Sequence, residues 1–342
     1  MEVTTVTSKT RVPLAYAACA ALFLYGAAQT YWSLGGAGFP FGADDANPEY
    51  SAFEHVGRDR LAPWLAAGFL SASVVAALLA PTGRGLSRVA ARALYGATAL
   101  YATAVVCTLT DFRLLGNLAY ALMFRFGAIN WSVLNQLFAV VGVALLVGAA
   151  VAHHRRRTDA CGRCGRRSGG AGWATPEAAA RWGRRAAYTA IVVPLFYAAT
   201  RWAWLFGWPL GISDELWEEG QEDNLWFYGG LLATMGALGS LLTLGLVQRW
   251  GETFPRWMVG LRGRRVPVTL ATIPASVVAV LTTIAGVMYI RLHLTGAFDN
   301  PRGDWGASVP ETIWPVWGVA LGLATLAYYL RRRGACRRCG RG

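Results

Sequence analysis

Charged residues are scarce in this chain, and acidic residues are rarer than basic ones. Only 15% of the 342 residues are charged, whereas 55% are hydrophobic, and a soluble protein of this size needs more charge to cover its surface. Six cysteines are too few for a secreted fold held by disulfides, and the high apolar content excludes a disordered chain. These absences favour a membrane protein.

The sequence also lacks the patterns of several common enzyme classes. It contains no Ser/His/Asp grouping, no P-loop and no Rossmann glycine pattern in a strand–turn–helix context. Its four histidines are too scattered to form a metal triad. We therefore lean against an enzyme, and the polar residues considered below leave that question open.

What the chain does contain is eight apolar stretches of about 20 residues, the length that a membrane-spanning helix needs. They are Pro13–Leu34, Leu61–Leu79, Ala93–Thr110, Val133–Ala152, Ala186–Gly207, Leu225–Val247, Val268–Ile290 and Thr312–Leu330. We predict an all-α integral membrane protein with eight transmembrane helices. The first stretch is too long and too weakly flanked by basic residues to be a cleavable signal peptide.

The distribution of arginine and lysine predicts the orientation of these helices. The N-terminus, the second, fourth and sixth connections and the C-terminus together hold 25 basic and four acidic residues. The other four connections hold six basic and fifteen acidic residues, and Arg201 alone lies inside a span. Because basic loops stay in the cytoplasm, we predict a multi-pass protein of the cell membrane with both termini cytoplasmic. The net charge of +13 thus reports topology and does not indicate nucleic-acid binding.

The two halves of the chain read alike, which indicates an internal duplication. Val141–Arg157 aligns without gaps on Trp317–Arg333, and Tyr25-x-Ala-x4-Trp32 matches Tyr197-x-Ala-x4-Trp204. Each repeat has four helices, an even number, so the repeats are parallel and related by an axis along the membrane normal. A pocket between the repeats would lie on that axis, although the repeats could also pack side by side without one.

The predicted organisation follows from this duplication. It comprises a first four-span repeat at 1–160, a cytoplasmic linker at 161–185, a second four-span repeat at 186–330 and a cytoplasmic tail at 331–342. Small residues four positions apart, as in Gly318-x3-Gly322 and Gly148-x3-Ala152, indicate close helix contacts within the repeats.

Two Cys-x2-Cys-Gly knuckles, each beyond an arginine triplet, are the sharpest local signal. They contain Cys161 and Cys164 in the linker and Cys336 and Cys339 in the tail. Two such turns supply the four thiolates that structural zinc prefers, so we predict a zinc clasp that joins the two halves, with nearby arginines offsetting its negative charge. A reversible dithiol site and unpaired thiols in the tails are the alternatives, since a cytoplasmic location argues against permanent disulfides.

Charged and polar residues at the membrane provide candidate binding residues. Arg201 lies well inside the fifth span, where charge is costly and typical of a functional site, although its side chain could also extend to the outer interface. The outer ends of the third and seventh spans add further candidates. These are Asp111, Arg113, Arg291, His293 and Glu311. An Asp111–Arg113 or Glu311–Arg291 pair would line an outward-facing pocket or, alternatively, hold the outer loops as a salt-bridge network.

Two connecting segments have unusual composition. Residues 214–223 contain six acids and no basic residue, which indicates a solvated acidic turn. Residues 248–265 alternate aromatic and basic residues, a pattern typical of a segment that lies on anionic lipid headgroups.

Several motifs resemble those of a family of small four-span bacterial membrane proteins, a domain of unknown function. The likeness rests on Tyr31-Trp-Ser-Leu-Gly-Gly36, on Asp111-Phe-Arg-Leu-Leu-Gly116 and on Arg125-Phe-Gly-Ala-Ile-Asn-Trp131. The second half looks like actinobacterial hypothetical membrane proteins, through Thr200-Arg-Trp-Ala-Trp204 and residues 248–257. The resemblance implies architecture and brings no established activity.

Three functions remain open from the sequence. The first is binding or transport of a small lipophilic or anionic ligand in a pocket between the repeats, near Arg201. The second is a membrane-embedded enzyme that acts on a lipid or quinone, with Asp111, His293 or Glu311 as acid or base. The third is a zinc-clasped membrane scaffold. We favour the first narrowly at this point, with the lipid bilayer as the general partner and no prediction of oligomeric state.

Overall fold

The computed structural model describes residues 12–80, 86–124, 127, 129–167, 172–222, 224–256, 258–297 and 303–340. Every regular element in these ranges is a helix, and the isolated β-bridge among them joins Thr253 to Arg265. The prediction of an all-α fold is therefore confirmed. The N-terminal residues 1–11, predicted to be cytoplasmic, lie outside the described residues, as do Asp223 and Trp257 of the two unusual connections.

The described chain forms eleven α-helices and four short 3-10 turns. The helices are α1 (Val12–Ser33), α2 (Arg58–Leu78), α3 (Arg88–Thr108), α4 (Arg113–Leu122), α5 (Trp131–Arg157), α6 (Pro176–Leu205), α7 (Asp214–Glu222), α8 (Leu225–Leu244), α9 (Val268–Thr295), α10 (Trp305–Thr312) and α11 (Trp314–Arg332). The 3-10 turns are Gly42–Asp44, Pro48–Tyr50, Gly172–Ala174 and Arg249–Gly251.

Six stretches of the described helices are long and apolar enough to cross a membrane. They are α2, α3, α5, α8, α9 and Trp305–Arg332, which comprises α10 and α11. The predicted spans at Pro13–Leu34 and Ala186–Gly207 coincide with α1 and α6, which are not among the six. Each contains a strongly polar residue, Gln29 in α1 and Arg201 in α6. The six apolar helices indicate a membrane protein, and the full count of eight spans stays a prediction.

The outward faces of the long helices are apolar. Leu24 of α1, Trp64 of α2, Val192 of α6 and Leu242 of α8 are all more than half exposed. Large exposed apolar surfaces are rare on soluble monomers, because water cannot offer them favourable contacts. This surface is suited to the acyl chains of a bilayer.

The chain divides into two compact units. The first unit comprises residues 1–110, 129–169 and 336–341, and the second comprises residues 111–128, 170–335 and 342. The C-terminal knuckle therefore belongs to the first unit, and α4 belongs to the second. The domain boundaries drawn from the sequence at residues 160, 185 and 330 stay predictions.

In the first unit, α1 packs against α2 and α5, and α3 packs against α5 and α2. Its apolar core includes Leu22, Phe69, Leu79 and Leu146, each at most 2% exposed. Small residues allow close approach, since a Cβ at Gly148 would lie 3.0 Å from Leu14 Cδ2.

In the second unit, α6 packs against α8 and α11, and α9 packs against α11, α10 and α4. Its core includes Trp314, Trp317, Leu321 and Tyr328. The acidic segment at 214–223, which we predicted as a turn, instead forms α7 beside α8. Asp214 and Glu215 occupy its first turn, where negative charge stabilises a helix through the helix dipole.

Candidate metal centre and buried polar clusters

Each Cys-x2-Cys pair lies in a tight turn that its glycine closes. In the first knuckle, residues 161–165, the N–H of Gly165 donates to the carbonyl of Cys161 at 2.8 Å. In the second knuckle, residues 336–340, the N–H of Gly340 donates to the carbonyl of Cys336 at the same distance. The φ angles of the two glycines are 73° and 68°, in the left-handed region that glycine adopts without steric cost.

The four cysteines of the two knuckles lie together within the first unit, and we call them the four-cysteine cluster. All four Sγ atoms are within 4.8 Å of one another. Cys161 Sγ is 3.9 Å from Cys336 Sγ, and Cys164 Sγ is 3.7 Å from Cys339 Sγ. These distances are far longer than the roughly 2.05 Å of a disulfide. They are close to the edge of about 3.8 Å that Zn–S bonds of about 2.3 Å give a tetrahedron.

The thiols of the cluster differ in acidity. Burial opposes ionisation of Cys161, but hydrogen bonds from the backbone N–H groups of Cys164 and Arg163 outweigh it and lower the pKa of Cys161 to about 6. Backbone N–H groups of the second knuckle likewise lower the pKa of Cys336. Burial, reinforced by hydrogen bonds with neighbouring thiols, raises the pKa of Cys164 to about 11. Adjacent thiolates repel one another, so a bound dication would stabilise all four together.

The arginines predicted to offset the charge of the cluster adjoin the cysteines in the sequence. Arg163, Arg337 and Arg338 are exposed beside the cysteines within the knuckles. The structure adds Arg155 of the preceding arginine triplet: its guanidinium lies against Gly165, where a Cβ would be 3.2 Å from Arg155 Cζ. Positive charge at these positions offsets the net negative charge of a tetrathiolate site.

Arg201 belongs to a buried ionic cluster in the second unit. Its guanidinium forms an ion pair with Glu311 of α10. It also donates to the carbonyl of Gly306 at 2.6 Å and to the hydroxyl of Thr200 at 3.1 Å. The side chains of Arg201 and Glu311 are 9% and 2% exposed, so Arg201 does not extend to an exposed position. Its functional role stays a prediction.

Aromatic rings complete the surroundings of Arg201. Its Cζ lies 4.4 Å from the ring centroid of Tyr197 and 4.2 Å from that of Trp204. Both distances allow favourable cation–π contacts. We call Tyr197, Arg201 and Glu311 the ionic cluster. From the sequence we paired Glu311 with Arg291, whereas the structure pairs Glu311 with Arg201.

Asp111 and Arg113 form the second buried ion pair of this unit, as one of the sequence alternatives anticipated. Arg113 Nε lies 2.9 Å from Asp111 Oδ1, and Arg113 Nη2 lies 2.6 Å from Oδ2. The backbone N–H of Arg113 also donates to Asp111 Oδ1 at 2.9 Å, at the start of α4. Arg291 and His293, the other two candidates, lie in the last two turns of α9.

The first unit buries a neutral counterpart of the ionic cluster. Extending the ungapped alignment by six residues places Asn135 opposite Glu311, while Tyr25 and Gln29 lie opposite Tyr197 and Arg201. The hydroxyl of Tyr25 donates to Asn135 Oδ1 at 2.8 Å. Gln29 is fully buried, and its side-chain amide has no hydrogen-bond partner within the described part of the chain. We call Tyr25, Gln29 and Asn135 the neutral cluster.

From the sequence we did not connect Asn135 with Glu311. The signal was present in the sequence, since the same alignment that matches the arginine triplets also matches these two residues. Ser132 and Ser308 follow the same register, and both are buried.

Comparison with known proteins finds no match to any family model, curated protein or solved structure. The resemblance to four-span bacterial membrane proteins therefore stays a prediction. Arg125, Phe126 and Ala128 of one of its motifs lie outside the described residues.

Proposed function

We propose that this chain is an eight-span membrane scaffold, built as two parallel four-helix repeats with both termini in the cytoplasm and stabilised by a structural zinc ion in the four-cysteine cluster. The observation that carries the proposal is the set of four Sγ atoms within 4.8 Å of one another. The zinc ion would fasten the C-terminal knuckle to the segment that follows α5.

The donor set favours a structural metal over a catalytic one. Four thiolates complete the tetrahedral coordination of zinc, whereas catalytic zinc sites retain a position for water or substrate. Soft thiolate ligands also select zinc over the oxygen-preferring magnesium and calcium ions. The four cysteines are not joined by disulfides in the structure, so all four sulfur atoms are available to a metal.

The duplicated architecture draws support from the two polar clusters. A tyrosine, a polar residue one turn later and an acceptor on a distant helix recur at aligned positions in both units. Independent origin of the same three positions would be a coincidence, whereas duplication followed by divergence explains them. The even number of helices in each repeat then makes the repeats parallel.

The pairing of the buried charges favours a scaffold over a ligand-binding protein, the function that the sequence narrowly favoured. Glu311 neutralises Arg201, and Asp111 neutralises Arg113. A charge that already has a partner offers a ligand less than an uncompensated charge does. Ligand binding between the repeats, and catalysis by Asp111, His293 or Glu311, stay predictions.

Metal content tests the zinc site directly. For protein purified in mild detergent without chelators, we expect about one zinc per chain by elemental mass spectrometry. The variant Cys336→Ser/Cys339→Ser should retain almost none. The matched control Cys19→Ser/Cys107→Ser, which changes the two cysteines of α1 and α3, should bind zinc normally. A wild-type zinc content near zero would contradict the proposal.

The fastening role has a separate test. A chelator should increase protease cleavage after the arginines at 331–338, because release of the metal frees the C-terminal knuckle. Readdition of zinc should restore protection in the wild type but not in the Cys336→Ser/Cys339→Ser variant. Equal cleavage with and without zinc would show that the metal does not fasten this segment.

A further inference from the structure

The second unit contains an apolar cavity that includes none of the residues of the ionic cluster. Its volume is about 860 Å³, within the range of roughly 300–1,000 Å³ that small-molecule sites occupy. Leu242 and Leu246, at and just beyond the end of α8, line one side, and Ala275 and Val278 of α9 line another. Leu321 of α11 also contributes to the wall.

The walls of this interhelical cavity suit a hydrocarbon. Thr243 supplies the one hydroxyl among the lining side chains, and that hydroxyl already donates to the carbonyl of Gly239 at 2.8 Å. A polar occupant would lose its hydrogen bonds to water at a cost of several kcal/mol, and the indole N–H groups of Trp250 and Trp317 are the few side-chain donors in the wall that could replace them. The buried part of any ligand is therefore apolar.

The cavity extends to the outer surface of the helices. Leu241, Leu242 and Leu270 line it and are 56%, 67% and 56% exposed. These residues lie at the end of α8 and the start of α9, two of the six helices that are able to span a membrane. A chain from the surrounding bilayer can thus enter from the side.

One edge of the cavity is formed by the connection between α8 and α9. We call residues 249–266 the roof segment, because its residues Trp250, Phe254 and Met258 line the cavity. The turn is compact: a Cβ at Gly251 would lie only 1.8 Å from the carbonyl oxygen of Gly245. The side chains of Trp250, Phe254 and Met258 face the apolar space.

The end of α11 holds the roof segment in place. Arg331 donates to Glu252 Oε1 at 3.1 Å, and Arg332 donates to the carbonyl of Val266 at 3.0 Å. The hydroxyl of Tyr328 donates to the carbonyl of Gly251 at 2.6 Å. Arg331 and Arg332 thus bind the roof segment, and Arg331 neutralises its one acidic residue, Glu252.

The arginines of the roof segment itself remain exposed. Its five arginines are Arg249, Arg256, Arg262, Arg264 and Arg265, all exposed to solvent. Arg249 adjoins the lining residue Trp250, and Arg265 adjoins the lining residue Val266. An apolar cavity covered by a segment that carries five exposed arginines is complementary to a ligand with an apolar chain and an anionic head.

We propose that the interhelical cavity binds an acyl chain of an anionic phospholipid whose phosphate group contacts the arginines of the roof segment. A lipid has both required parts in one molecule, and arginine binds phosphate oxygens in a bidentate manner. Anionic headgroups attract basic segments at a membrane surface with about 1 kcal/mol per arginine. The proposal depends on the membrane location and is independent of zinc.

The test measures binding of two lipids to delipidated, full-length protein by native mass spectrometry. Dioleoyl phosphatidylglycerol is the anionic probe, and dioleoyl phosphatidylcholine has the same chains without net charge. We expect tighter binding of phosphatidylglycerol. The variant Arg249→Gln/Arg256→Gln should weaken phosphatidylglycerol binding about 25-fold, which is about fivefold for each arginine. Its affinity for phosphatidylcholine should change by less than about twofold.

Two matched controls separate a site from general charge or general packing. Arg181→Gln/Arg184→Gln removes two exposed arginines of α6 and should change phosphatidylglycerol binding by less than about twofold. Ala275→Phe places an aromatic ring inside the cavity, obstructs it, and should abolish binding of both lipids. Ala199→Phe places the same side chain on an exposed position of α6 and should bind both lipids normally.

Several outcomes would overturn the proposal. Equal binding of the two lipids would remove the role of the anionic head. Equal losses in the roof variant and the α6 variant would indicate diffuse electrostatic attraction, and normal binding by Ala275→Phe would exclude the cavity. In another outcome, a neutral isoprenoid quinone binds more tightly than either lipid. If Ala275→Phe abolished that binding and Arg249→Gln/Arg256→Gln retained it, the ligand of the cavity would be a quinone and not a phospholipid.

Discussion

The two units bury polar side chains at the same aligned positions but balance them differently. In the second unit, Arg201 and Glu311 carry opposite charges and bind each other, and Arg201 also donates to the carbonyl of Gly306 and the hydroxyl of Thr200. In the first unit, Gln29 and Asn135 are uncharged, and Tyr25 supplies the hydrogen bond to Asn135. Under the proposed duplication, the two units would have retained a buried polar position while changing its chemistry, with both partners changing together.

The units also differ in how closely their second and third long helices pack against each other. In the first unit α2 packs directly against α3. In the second unit the interhelical cavity lies between the corresponding helices, α8 and α9. The comparison indicates that the first unit is the more continuously packed of the two and that the second unit has space for a ligand.

The largest expected effect comes from removing one partner of the Arg201–Glu311 ion pair, which tests whether the two units balance their buried polar groups differently. Glu311→Asn should destabilise the protein by about 3–5 kcal/mol, because it leaves a buried guanidinium without its counterion. Arg201→Gln should cost less, since a buried carboxylate can take up a proton whereas arginine cannot release one. The free energy of unfolding in mixed micelles measures both effects.

The double variant Arg201→Gln/Glu311→Asn provides the control, because it installs the residues of the neutral cluster. We expect it to recover most of the stability lost in Glu311→Asn, since replacing a buried ion pair by neutral groups is often nearly neutral. A double variant as unstable as the single one would contradict the equivalence of the two clusters.

A smaller effect should distinguish two aligned glycines, Gly318 of α11 and Gly142 of α5. A Cβ at Gly318 would lie 2.1 Å from Thr283 Oγ1 and 2.5 Å from the carbonyl oxygen of Ala279. At Gly142 it would lie 3.0 Å from the tip of Leu22, a side chain that can shift. Gly318→Ala should therefore cost about 1–3 kcal/mol and Gly142→Ala less than about 1 kcal/mol, measured by thermal unfolding. Equal losses would show that the two helix contacts are equally tight.

The smallest expected effect concerns the neutral cluster. Tyr25→Phe removes the hydroxyl that donates to Asn135 and should cost about 0.5–1.5 kcal/mol. Tyr16→Phe is the matched control on the same helix, because Tyr16 is 49% exposed, and it should change stability by less than about 0.5 kcal/mol. If the two variants unfold alike, the hydrogen bond in the neutral cluster does not contribute to the stability of the first unit.

The sequence allowed the long apolar helices and the knuckles to be predicted, whereas the short helices α4, α7 and α10 were not predicted. Runs of about 20 apolar residues predict spanning helices, because the length and hydrophobicity of a segment can be read from its own residues. Cys161-Gly-Arg-Cys164-Gly predicts a turn with two neighbouring thiols for the same local reason. That two such turns form one four-cysteine cluster depends on residues 175 positions apart, and the sequence supported it only through the repeat.

The partner of Arg201 was harder to identify. Spacing along one helix reveals partners three or four residues away, whereas Glu311 is 110 residues from Arg201. The repeat alignment contained usable information, because Asn135 and Glu311 occupy one register, but neither residue is unusual in isolation. The membership of α4 in the second unit had no sequence signal, since the chain places α4 among the helices of the first repeat.

Composition and the spacing of hydrophobic and basic residues by themselves determined the helical class, the apolar stretches and the charge asymmetry of the connections. These properties are sums over local segments, so they can be read without coordinates. Tertiary structure alone decided which buried charges neutralise one another, where the four thiols meet and where α8 and α9 leave a cavity. Ion pairs, metal ligands and cavities depend on distances of a few ångströms between distant segments, and only the packing of the helices sets those distances.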